Sequence, residues 1–152
     1  MLFRSRTGPL PYLAVDFAAP GAYHGAHCLR VDFTTPRNNE CEPVYQVVPV
    51  LPNRTYALEA YVRSAGITSP SGPCLRVTDT KQTGSVDAVS ESTVGTTAWH
   101  EVRFSFSTGP QTNVLRVSLW RPRAREFPME ITGSFWLDAV SLKEQRRPTN
   151  DE

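Results

Sequence analysis

Three segments late in the chain constrain its fold more than anything else in it. In residues 99–106, Val102, Phe104 and Phe106 alternate with Glu101, Arg103 and Ser105. In 114–120, Leu115, Val117 and Leu119 alternate with Arg116, Ser118 and Trp120. In 134–142, Phe135 and Leu137 alternate with Ser134, Trp136 and Asp138. Period two is the pattern of strands that bury one face and wet the other. The chain therefore ends as a sheet, and the upstream residues must supply the strands that complete it.

They carry the same pattern. Residues 28–33 place Leu29, Val31 and Phe33 on one face; 55–64 place Tyr56, Leu58, Ala60 and Val62 on one face; 74–79 place Leu75 and Val77 on one face. Residues 44–50 are a further strand, 12–17 a candidate edge strand, and 86–89 a short one. All 9 Gly and all but one of the 13 Pro, Pro49, fall between these runs, where they punctuate short strands and oppose helix. The expectation is one all-β domain, an antiparallel two-sheet β-sandwich with little or no helix. Strand number does not separate an immunoglobulin-type topology from a jelly roll, but the chain lacks a Cys-Trp-Cys spacing. The organisation expected is an extended arm over 1–24, the sandwich over 25–143 and a polar tail over 144–152.

Charge and cysteine usage exclude several classes. A net charge of +1 and a pI near 7.8 give no global attraction to nucleic acid or anionic membrane. No apolar run approaches the roughly 18–20 residues of a membrane span, and residues 1–6 lack the charged-then-apolar profile of a signal peptide. Cys28, Cys41 and Cys74 are odd in number with no CxxC spacing, which argues against zinc. Three free thiols and one disulfide with one thiol both remain open. Nothing in sequence pairs His24, His27 or His100 with a nucleophile elbow or a phosphate loop, so the chain is not expected to be an enzyme.

Four segments, 25–31, 45–58, 99–106 and 135–142, resemble carbohydrate-binding module family 4/9-like, galactose-binding-like jelly rolls over about residues 25–143. The resemblance implies jelly-roll topology and a non-catalytic, extracellular or cell-surface module that binds glycan on an exposed sheet face. No cofactor is required, although such folds often hold a structural calcium. The candidate ligand here is Asp138, with Asp16 or Asp32, since carboxylates suit a hard cation; Ala139 stands where the pattern has a second acid.

Sugars stack their apolar ring faces on aromatic side chains while planar polar groups satisfy hydroxyls. Burying Leu58, Val62, Leu75, Val77, Val117 and Leu119 turns Tyr61, Arg63, Arg76, Arg116 and Trp120 outward. In the jelly rolls this chain resembles, strands like these share the ligand-facing sheet. Tyr61 and Trp120 are thus the expected stacking platforms, and Arg63, Arg76 and Arg116 line the same face, with Arg76 and Arg116 binding hydroxyl or carboxylate groups. Trp136 is expected to pack under the arm, and Trp99 to plug a sandwich end. Arg121, Arg123 and Arg125 form a cationic loop that could meet acidic glycans, and Asn53-Arg54-Thr55 fits a glycosylation acceptor in a turn.

Two other functions compete with glycan binding. One is a structural subunit of a self-assembling surface layer or filament, in which the arm adds a strand to a neighbour. The other is a bare interaction domain of a longer protein.

Overall fold

The computed structural model describes residues 5–6, 10–82 and 85–145, with only the backbone of 5–6. The expected tail lies outside the described residues from 146 onward, as does the arm at 1–4 and 7–9. Ten strands follow in order: β1 (Ser5–Arg6), β2 (Leu13–Ala19), β3 (Cys28–Arg37), β4 (Cys41–Pro49), β5 (Thr55–Ile67), β6 (Cys74–Asp79), β7 (Asp87–Val89), β8 (Gly95–Ser107), β9 (Val114–Arg121) and β10 (Ile131–Gln145). Among the described residues no helix is long and apolar enough to cross a membrane.

The strands form two five-stranded antiparallel sheets, β1-β4-β9-β6-β7 (sheet A) and β2-β3-β10-β5-β8 (sheet B). From β3 to β6 the chain changes sheet at every connection, and it does so again from β7 to β10. Alternation in sequence therefore builds both layers at once. The inward set fills the space between them: Val31, Leu58, Val62 and Phe135 from sheet B meet Val44, Leu75, Val77, Leu115, Val117 and Leu119 from sheet A, all essentially inaccessible. Each such side chain contributes roughly 1.5–3 kcal/mol by leaving water, so the core carries the fold without a disulfide. All three cysteines are free and buried.

Two of the three strand prolines sit where the ladders break, while Pro49 ends β4 opposite Val114. Pro36 falls between the Phe33–Gly133 and Arg37–Ile131 pairs, where β10 and β3 slip register, and Pro43 falls in the slip between Cys41 and Val44. At such points there is no regular ladder hydrogen bond for the ring to remove. This is why both strands run further than turn composition suggests. The β10–β5 register also shifts between Asp138 and Ser141, and Ala139 at the shift has φ 53°.

The strand-forming parts of the arm pair within their own sandwich. Ser5 and Arg6 lie opposite Tyr45 and Val44 at the edge of sheet A, and Leu13 to Asp16 lie opposite Phe33 to Arg30 at the edge of sheet B.

Candidate functional site

Inward packing of Leu115, Val117 and Leu119 on β9 forces Arg116, Ser118 and Trp120 onto the outer face of sheet A. The register then sets their neighbours. Tyr45, Ser118, Arg76 and Val89 form one row across four strands, and Val47, Arg116, Thr78 and Asp87 the next. Arg76 lies over Trp120, with its guanidinium carbon 4.4 Å from the ring centre, and Arg116 lies over Tyr45 at 3.9 Å. Ser118 is buried on this outer face, flanked by the two long arginines.

Both arginines are already paired. Arg76 donates from Nε and Nη2 to the two carboxylate oxygens of Asp87, each at 3.0 Å. Glu42 bridges the pair, with Oε2 2.9 Å from Arg116 Nη2 and Oε1 3.8 Å from Arg76 Nη1. Hydrogen bonding to Asp87 raises the Arg76 pKa further above its ordinary value. The two guanidinium and two carboxylate groups of this cluster cancel, and the carboxylate of Glu40 is close enough to act on Arg76 as well, so the face presents polarity with no excess of positive charge. Val47 and Val89 border it as exposed apolar side chains. Buried Trp120 Nε1 and Arg116 Nε have no hydrogen-bond partner among the described residues.

Tyr61 and Arg63 lie elsewhere. They face outward from β5, in sheet B, so the five residues expected to share one face are divided between opposite sides of the sandwich. Period two separates inward from outward within a strand but does not say to which sheet the strand belongs. On sheet B, Tyr61 is capped by Tyr23, the rings parallel at 9° with centroids 3.8 Å apart. The Tyr23 hydroxyl beside it pushes the Tyr61 pKa up to about 12. Arg63 rests on Trp136 at 3.7 Å and approaches Trp99 at 5.7 Å. Trp136 is buried with Ala19 and Cys28, under the arm as expected. Trp99 is not a plug at the sandwich end: it lies half-buried on this outer face, edge-on to Tyr23.

Residues 44–50 do not alternate cleanly, with polar Gln46 on the inward side and Val47 exposed, so no local signal places Tyr45 outward. Nothing local marked Glu42, Asp87 or Tyr23, which lie at a register break, on a three-residue strand and in a loop respectively.

Each candidate calcium ligand has hydrogen-bond partners within the protein. Asp138 accepts backbone N–H groups from His24 at 2.9 Å and Ala139 at 2.8 Å, Asp16 accepts from Ala18 N–H, and Asp32 binds Arg30 and Ser134. No group of three or more His, Cys, Asp or Glu side chains that could hold a metal occurs among the described residues.

The cationic loop loses its first member to the interior. Arg121 is 1% exposed. It donates to the Ser71, Asn39 and Met129 carbonyls, Asn38 Oδ1 and Ser69 Oγ, at 2.8 to 3.1 Å. Burial lowers its pKa from the ordinary value. Its guanidinium ties three loops at one end of the sandwich, while Arg123 and Arg125 stay exposed.

No protein family and no curated protein matches the sequence. Solved structures do match. A CBM4 structure superposes with a TM-score of 0.58 at 10% identity, over 89% of this chain and 81% of that one. The fold is a two-sheet jelly-roll β-sandwich. The jelly roll of TmCBM61, solved in complex with β-1,4-galactotriose, superposes with a TM-score of 0.57 at 15% identity, over 93% and 88% of the two chains. The same jelly roll matches 18% of the enzymatically active domain of bacteriophage CBA120 tailspike protein 4, over 88% of this chain, with a TM-score of 0.59 and 12% identity. At these identities the likeness is one of architecture, and the chemistry of this jelly roll must come from its own side chains.

Proposed function

We propose that the protein is a non-catalytic, extracellular or cell-surface glycan-binding module whose ligand face is the outer side of sheet A. The observation that carries this reading is the pair of arginines laid over Trp120 and Tyr45 and locked by Glu42 and Asp87. A rigid, half-buried face of alternating rings, donors and acceptors suits a hydroxyl-rich ring. The sugar's C–H surface packs against the aromatic and valine edges, and its hydroxyls exchange hydrogen bonds with carboxylates and guanidinium N–H groups. Because the charges balance, the ligand supported is a neutral glycan. A carboxylate-bearing one would meet Glu42 and Asp87 without an unpaired arginine to receive it. Affinity electrophoresis against matched neutral and uronate-containing polysaccharides tests this. Retardation by a neutral polymer is expected, without release of reducing ends. Retardation by uronates alone would overturn the reading.

A further inference from the structure

The four sheet edges are unequal. Sheet A ends in β1 and β7, two and three residues long. Sheet B ends on one side in β2, which slips register between Asp16 and Ala19 and is followed by Pro20. On the other side it ends in β8, thirteen residues with no proline. Residues 101–107 of β8 pair with β5 in unbroken register, from Tyr61–Glu101 to Thr55–Ser107. Along the other side of that straight stretch no strand pairs among the described residues.

An edge of this kind recruits a further strand unless something opposes it, and proteins commonly oppose it with proline, bulges or charge. The charges on β8 do not oppose a second copy. Glu101 and Arg103 are exposed, opposite in sign and two residues apart, hence on the same face of the strand. Two β8 strands paired antiparallel about a two-fold axis at Val102 set Glu101 of each copy against Arg103 of the other. Glu59 already meets Arg103 at 3.5 Å, and Tyr61 is opposite Glu101. The row across the junction would therefore read Glu59, Arg103, then Glu101 and Tyr61 of the second copy. Moving the register by two residues either way sets arginine against arginine or glutamate against glutamate, so charge selects one alignment. That alignment also brings His100 of the second copy opposite half-buried Phe104.

We propose that β8 is a homodimerisation edge: two copies pair through Glu101 and Arg103 about Val102, joining two five-stranded sheets into one continuous sheet. The contact is isologous and closes on itself. A single edge buries little surface, so an association in the micromolar to millimolar range is expected. This surface is independent of the glycan face on sheet A.

Sedimentation equilibrium of the full chain tests the proposal with wild type, Glu101→Arg, Arg103→Glu, the double variant, and an equimolar mixture of the two single variants. Each single variant should dimerise at least about tenfold more weakly than wild type. The double variant should recover most of the loss, because it exchanges the signs and keeps the match. The mixture should form a heterodimer tighter than either single variant alone. Both side chains are exposed, so near-UV circular dichroism should show the native fold throughout. A wild type that stays monomeric up to about 1 mM, or a dimer that both single substitutions leave unchanged, overturns the proposal.

Discussion

Arg76 is held between Trp120 and Asp87: its guanidinium lies 4.4 Å from the indole centre while two of its nitrogens bind the carboxylate at 3.0 Å each. The residue that could have served as a free hydroxyl-binding cation is thus one half of a fixed pair. On the proposed glycan face, ligand selectivity therefore rests on the acids as much as on the arginines.

Glu42 is the acid shared by both arginines. Glu42→Gln should make the face one charge more positive and shift preference toward uronate-containing polysaccharides. The cost in stability should be about 1 kcal/mol, since these side chains are only partly buried. Comparative affinity electrophoresis with a thermal melt checks both. An unchanged neutral-to-acidic preference would mean that charge balance does not set the selectivity.

Arg121 should be the most sensitive position in the arginine-rich loop. Removing a fully buried guanidinium with five hydrogen-bonded contacts strands three carbonyls and two side chains, so Arg121→Met should cost roughly 3–5 kcal/mol. Arg123→Ala and Arg125→Ala, at exposed positions, should change stability by less than about 0.5 kcal/mol. Urea denaturation of the three variants measures the contrast.

This loop shows where sequence stops being informative. Three cations in five residues read alike, yet β9 ends by turning Arg121 into the cluster of loops formed by Asn38, Ser69 and Ser71. Those partners lie 50 or more residues away in sequence. The strands themselves were legible because each carries its own alternation: the inward sides of β5, β6 and β9 match the pattern position by position. What alternation cannot carry is the assignment of a strand to a sheet; the family resemblance supplies that assignment, and it groups Tyr61 and Arg63 of β5 with Trp120 of β9, which lie in different sheets. Gln46 marks the opposite failure. It points inward opposite Val117 despite being polar, and its Oε1 is buried without a partner.

Asp79 links stability to pH. Its carboxylate accepts the backbone N–H groups of Gln82 and Lys81 and the Ser85 hydroxyl, which holds its pKa below the ordinary 3.8. A lowered folded-state pKa gives stability that is present above the unfolded value and is lost as pH falls through the folded one. The difference in Tm between wild type and Asp79→Asn should therefore be largest well above pH 3.8 and should shrink as pH falls below that value. A constant difference across that range would show that the carboxylate charge is not what these contacts stabilise.

The measurement that bears most directly on the account compares Trp120→Ala and Tyr45→Ala with Tyr61→Ala in retention on whichever neutral polysaccharide retards the wild type. Trp120 and Tyr45 lie on sheet A under the paired arginines, whereas Tyr61 lies on sheet B beneath Tyr23. The account predicts that the first two variants lose at least about tenfold in affinity while the third keeps wild-type binding. Loss in Tyr61→Ala with retention in Trp120→Ala would place the ligand on the opposite side of the sandwich and contradict it.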